Sequence, residues 1–170
     1  GTNVPACGTF TTSGSSPLSR IRWERLSAEA CIALGHLDRG QERGRTALRL
    51  CAGGPTLLDH ATGTDLSSRL RLSTAVAREI GRQIASLVVE GEREHRDPDD
   101  RGRAREAALA AELVARAYFF MNDSGRSTLG SLYAANRAIG LGSSPERARC
   151  DAQLSIVATY LPSPPLARRY

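Results

Sequence analysis

Apolar residues recur at intervals of three and four along most of the chain, the spacing that lines one face of an α-helix. Ile21, Ala28, Cys31, Ile32 and Leu34 make the first such stripe. Ser16 before Pro17 reads as its start: the hydroxyl can cap free amides, and proline at the first position loses no needed N–H. Gly35 closes this helix and Asp38 caps a second, which runs to about Cys51 before Ala52-Gly53-Gly54-Pro55 stops it. Residues 55–64 have loop character. Leu70, Leu72, Val76, Ile80, Ile84, Leu87 and Val88 predict a helix over 66–92, long enough that a bend near Gly81 is expected. The polar run 91–102, with Pro98 inside it, reads as an exposed loop. Helices over 103–121, 124–141 and 145–160 follow, the first two joined by the turn Asn122-Asp123-Ser124-Gly125. Pro162, Pro164 and Pro165 break the last, and residues 166–170 begin a seventh. No stretch alternates apolar and polar residues as a half-buried strand does, so the expected fold class is all-α. Residues 1–15 carry Gly, Ser and Thr without periodicity and read as a flexible tail or linker ahead of one helical domain at 16–170.

Within this pattern the stretch 23–50 reads as a helical hairpin turning at 35–38, with small residues where its helices meet. Ala28 and Cys31 lie before the turn, Gly35 in it, and Gly40 and Ala47 after it. The spacing returns 87 residues later as Ala115, Tyr118, Asn122, Ser127 and Ala134, and Ser155, Ala158, Pro162 and Ala167 begin a third copy. An internal repeat decides the fold before other signals do. This one resembles the tetratricopeptide repeat, with Leu48 and Leu50 also matching in the first unit. The resemblance implies a solenoid of six to seven helices stacked as antiparallel pairs, with small residues letting each pair approach closely. Three departures stand out: the helix over 66–92 separates the units, the second helix of the second unit is overlong, and that unit's terminal proline is displaced to Pro145.

A narrower likeness lies in residues 117–123, 133–138 and 142–149, which follow one another at set distances. That order is similar to the helical-repeat C-terminal regions of large bacterial proteins of the adenylate/guanylate cyclase and AAA-type ATPase family, and Arg22-Trp23-Glu24-Arg25 and Gly35-His36-Leu37 fit that region too. The resemblance implies a signalling ATPase or cyclase as the parent, with this segment as its sensing or docking arm. No GxxxxGK[ST] phosphate loop or metal-binding Asp pair stands in these residues, so the segment itself is expected to be non-catalytic. A chain that starts without Met and stops inside a helical pattern also reads as a piece of something larger.

Composition narrows the partners. A 170-residue chain that is 41% hydrophobic can bury a core, and its reliance on Ala and Leu with 5% aromatics favours helices. All 23 basic residues are Arg, a usage that reflects a GC-rich coding genome, and the net charge is +5. A sequence pI near 9.5 suggests nucleic acid. Yet Arg is interleaved with Glu and Asp throughout, so solvated helix faces are expected and nucleic acid is not; a nucleic-acid binder would need the Arg side chains gathered on one face. Cys7, Cys31, Cys51 and Cys150 form no CxxC pair and have no zinc spacing. Two disulfides stay open for a secreted chain, but Cys31 on an apolar face behaves as a small hydrophobe. With neither a signal peptide nor a membrane-length apolar run, the reading is a reduced, cytoplasmic protein without membrane contact.

The residues that could carry function are few. Trp23 could anchor a ligand, but a core place at the start of a helix pair is the reading preferred here. Tyr118, Phe119, Phe120 and Met121 cannot all face inward on one helix, so they are the candidate contact patch. Tyr133, Asn136 and Arg137 suit the tetratricopeptide groove, where Asn and Arg hold a peptide's backbone or carboxylate; a solvated surface is their alternative fate. The binding candidates are therefore Tyr118, Phe119, Tyr133, Asn136 and Arg137, and the packing candidates Ala28, Cys31, Gly35, Gly40, Ala47, Ala115, Ser127 and Ala134. His36, His60 and His95 fall in turns, share no spacing, and are expected to be exposed. Asp97, Asp99 and Asp100 lack the alternation and glycine of a calcium loop. No cofactor or metal is expected. The expected partner is a protein, a peptide or a neighbouring domain. A rival reading is a small all-α enzyme using loop His and Asp residues.

Overall fold

The computed structural model describes residues 16–60, 63, 65–88 and 97–158. Several helices start where a side chain can serve their free amides. Ser16 Oγ accepts from the Ser19 amide (3.3 Å) at the head of α1, Pro17–Ala33. Asp97 accepts from the Asp99 amide (2.9 Å) ahead of α5, Pro98–Phe120, and Asp123 from the Arg126 amide (3.0 Å) ahead of α6, Ser124–Ala138. Between them lie α2 (Leu37–Ala52), a four-residue α3 (Leu57–His60) and α4 (Leu66–Val88); a 3-10 turn at Ile139–Leu141 leads to α7 (Pro145–Ala158). The described residues contain no strand, so the all-α class holds.

Several boundaries differ from expectation. Pro98 does not break a loop but opens α5, five residues ahead of the predicted start. Asp97 caps the helix, proline has no amide to leave unpaired, and Asp99 and Asp100 complement the helix dipole. Asp38 sits in the first turn of α2 rather than capping it; His36 holds the cap position without a side-chain bond. A short helix interrupts the loop expected over 55–64. The described α4 runs without interruption through Gly81. Its stripe turned out mixed: Leu72, Val76 and Ile80 pack inward, whereas Leu70 and Ile84 face solvent and Ala75, Glu79 and Gln83 are buried. The tail 1–15, residues 91–96 of the expected loop with His95, the seventh helix, and Pro162 and Ala167 of the third repeat copy lie outside the described residues.

The packing follows from who meets whom. Ala28 and Ile32 of α1 cluster with Leu113 and Ala117 of α5, while Arg22 and Arg25 reach Glu106, so α1 and α5 run parallel. Gln41 meets Tyr118 and Gly44 faces Val114, so α2 runs against α5. Arg105–Glu146 and Arg149–Glu112 set α7 parallel to α5. Leu72 against Gly125 and Glu79 against Asn136 lay α4 along α6, in the same direction. α5 is surrounded: every residue from 106 to 115 is buried, which its Ala-rich sequence allows on all sides at once.

The repeat is written in the backbone. Gly35 and Asn122, 87 residues apart, both take positive φ, +80° and +60°. The Cys31 carbonyl accepts from the His36 amide at 2.8 Å and the Tyr118 carbonyl from the Asp123 amide at 2.9 Å. Beside these, Ile32 O accepts from Gly35 N and Phe119 O from Asn122 N, both at 3.0 Å. Each residue of one turn has its counterpart 87 positions on, the capping pattern of a helix closed by a left-handed residue. Asparagine tolerates that φ better than other non-glycine residues.

Small residues then set the helix spacing. Ala28, Ala47, Ala115, Ser127 and Ala134 are buried, and Cys31 is half-buried. A Cβ on Gly40 would run into the Ile32 side chain and sit 3.2 Å from the Ala28 carbonyl. Two contacts escaped the sequence reading: a Cβ on Gly44 would lie 2.6 Å from Val114, and one on Gly130 would lie 2.8 Å from the Ala115 Cβ. Gly35 serves the turn rather than a contact, with open space around it. No described helix is long and apolar enough to cross a membrane.

Candidate functional site

The end of α5 carries three consecutive exposed apolar residues. Phe119, Phe120 and Met121 are 44%, 59% and 40% exposed, with the two rings edge-on at 5.9 Å. Tyr118, next to them, is not part of this surface. It is buried, its hydroxyl accepts from Gln41 Nε2 at 2.6 Å, and desolvation pushes its phenol pKa up. One helical step of about 100° separates it from Phe119, enough to turn one residue in and the next out. Leu34, 87 residues before Met121, is 74% exposed at the matching end of α1. Because α1 and α5 run parallel, both helix ends lie at one edge of the molecule.

Trp23 is not a core residue: 67% of it is exposed. α1 buries Ile21, Ala28 and Ile32, and a residue two places after Ile21 sits about 200° round the helix, on the far side. Leu26 is partly exposed on the same helix.

Tyr133 and Asn136 are likewise not free to hold a peptide. Asn136 Nδ2 donates to the Glu79 carbonyl (2.9 Å) and to Glu79 Oε2 (2.7 Å). Glu79 is wholly buried, and Arg82 Nη1 donates to its other oxygen at 2.9 Å. Asn136 thus gives a buried carboxylate on α4 the partner it needs. Tyr133 is buried, its hydroxyl accepts from Arg137 Nη2 at 2.9 Å, and the guanidinium lies 5.0 Å from the ring centroid. Arg137 alone of these three reaches the surface. It lines a crevice of about 220 Å³ between the end of α2, α3, α4 and α6, together with Arg78, Arg82 and His60.

Other charges are spent on holding helices together. Glu106 is buried between Arg22 Nε (3.1 Å) and Arg25 Nε (2.6 Å), tying α1 to α5. Glu112, also buried, meets Arg149 of α7 at 2.8 Å, and Arg149 approaches Glu29 of α1 at 3.9 Å. Asp59 is gripped by Arg45 and Arg49. Burial alone would raise its pKa, but hydrogen bonds from Arg49, the Thr56 amide, Arg45 and the Thr56 hydroxyl overcome this and hold it at about 2. These arginines are distributed over several faces, not gathered on one.

Cys31, Cys51 and Cys150 are free thiols, and burial pushes those of Cys51 and Cys150 up to about 12. Cys7 lies outside the described residues. His36 and His60 are exposed. Among the described residues no group of three or more His, Cys, Asp or Glu is placed to hold a metal ion. Comparison with family models, curated proteins and solved structures returned no match.

Proposed function

We propose that this chain is a protein-recognition module built as a helix-pair solenoid, with no catalytic task of its own. The first pair is α1–α2 and the second α5–α6. α7 would open a third, and α4 is an insertion that covers α6. The identical turns 87 residues apart and the packing of α5 against both helices of the first pair support this reading. One observation carries the recognition role: Phe119, Phe120 and Met121 follow one another exposed where α5 ends, and Leu34 is exposed at the corresponding end of the parallel α1. Aromatic residues and Met are enriched at protein interfaces, and leaving them in water gains nothing for folding. The module serves a protein or a neighbouring domain within a signalling ATPase or nucleotide cyclase, a context that rests on the residue order of 117–149.

A photo-crosslinking amino acid at position 120 tests the docking edge in cells, with one at Arg71 on α4 as control. Position 120 should yield a defined protein adduct that position 71 does not. Equal labelling from both positions, or robust ATPase or cyclase turnover by the isolated chain, would overturn the reading.

A further inference from the structure

Away from the docking edge, the crevice between α3, α4 and α6 has a composition unlike the rest of the surface. Elsewhere the described arginines mostly face carboxylates: Arg22 and Arg25 face Glu106, Arg45 and Arg49 face Asp59, Arg105 faces Glu146. Here Arg78, Arg82 and Arg137 line one space with His60, and no carboxylate lines it among the described residues. Asp59 accepts hydrogen bonds from the lining residue Thr56 but is spent on Arg45 and Arg49, and the other carboxylate close by is Glu79. Glu79 is buried behind α4, with one oxygen taken by Asn136 and the other by Arg82. Three arginines in the lining against that carboxylate give the crevice an excess of positive charge. Such a cluster of like charges is unfavourable unless something anionic enters.

The donors are also unspent. A guanidinium carries five N–H donors in a planar fork. Arg137 uses one on the Tyr133 hydroxyl, Arg82 uses one on Glu79, and Arg78 has no partner among the described residues. Arg137 is oriented in advance by its hydrogen bond and by the ring 5.0 Å beneath it, so little freedom is left to lose when it binds. Forked donors of this kind match the oxygens of a phosphate group.

From this we infer that the crevice is a binding site for a phosphate group, either the free ion or the head of a small phosphate monoester. Charge selects a dianion over a single carboxylate. Size selects a small one: about 220 Å³ falls short of the roughly 300 Å³ at which small-molecule sites begin, so a phosphate enters and any remainder stays outside. The site lies on other elements than the docking edge and stands or falls apart from it.

The test is a phosphorus NMR and calorimetric titration of the chain with inorganic phosphate, glycerol phosphate and acetate at matched ionic strength. Saturable binding of phosphate or glycerol phosphate, one per chain, is expected. Arg78→Gln and Arg137→Gln should each weaken it at least tenfold, while Arg71→Gln on the solvent side of α4 leaves it unchanged. Arg78→Gln breaks no described contact, so its loss of binding is separable from a loss of fold, which the melting temperature checks. Tighter binding of glycerol phosphate identifies a monoester ligand and tighter binding of phosphate the free ion; either supports the site. Three results would overturn it: no saturation with either phosphate, wild-type affinity in both variants, or acetate bound as tightly as phosphate.

Discussion

Two glycines in the middle of helices offer one chemical change with opposite expected signs. Gly81 in α4 has nothing within 4 Å of where a Cβ would stand. Gly81→Ala should therefore stabilise the protein by about 0.5–1 kcal/mol, because alanine loses less backbone entropy in a helix. Gly130 in α6 has the same propensity to gain, but its Cβ would lie 2.8 Å from the Ala115 Cβ, 3.0 Å from its Cα and 3.2 Å from its backbone nitrogen. Those atoms belong to α5, which is packed on all sides and cannot swing a side chain away. Overpacking at such a contact costs about 1–3 kcal/mol, and about 1 kcal/mol of helix propensity offsets part of it. Gly130→Ala should thus be destabilised by up to about 2 kcal/mol, lowering the melting temperature by up to about 8 °C. Urea unfolding followed by far-ultraviolet circular dichroism reads both variants. Adding Ala115→Gly should recover part of the loss in Gly130→Ala, since it removes the nearest atom, and the double-mutant cycle would show a coupling of at least about 0.5 kcal/mol. A Gly130→Ala protein as stable as Gly81→Ala would refute the close α5–α6 approach on which the helix-pair account depends.

Other consequences are equally open to measurement. Asn136→Leu keeps the side-chain size but strips the buried Glu79 of its amide donor, and should cost about 2–3 kcal/mol in the same unfolding assay. Asp59 has a native pKa of about 2, below its ordinary value, so its ion pairs stabilise the protein above about pH 4 and lose that contribution as pH falls toward 2. Asp59→Asn should flatten that part of the acid-stability curve while lowering stability at neutral pH. Cys51 and Cys150, with thiols pushed up to about 12, should resist a thiol reagent in the native protein and react once urea unfolds it.

How far the residues revealed these arrangements depends on which forces act locally. The hairpin repeat was legible because Gly35, Gly40 and Ala47 are required by backbone geometry and close approach, and their counterparts lie 87 places on. Gly44 and Gly130 obey the same constraint and went unread, although Gly44 follows Gly40 by one turn on the same face. The start of α5 was hidden because a proline inside a charged run looks like a breaker until the preceding Asp97 is seen as a cap. Trp23 and α4 misled for a common reason: hydropathy ranks residues by type, whereas burial depends on which neighbour arrives. Leu70 and Ile84 face water because α6 meets the opposite side of α4, and Glu79 can be buried there only because Asn136, far along the chain, supplies its partner. The same pairing removed Asn136 and Tyr133 from the candidate groove and left Arg137 at the crevice.

Burial numbers divide the run 118–121 sharply, with Tyr118 inside and three apolar residues outside. The recognition role rests on that division. The most direct measurement is the affinity of the protein crosslinked at position 120 for the wild-type chain and for the Phe119→Ser/Phe120→Ser double variant. Exposed positions should tolerate both changes within about 0.5 kcal/mol of stability each. If these residues are the centre of an interface, the variant should bind at least about thirtyfold more weakly, the effect of losing about 2 kcal/mol at a hot spot. An unchanged affinity, with the fold intact, would contradict the account.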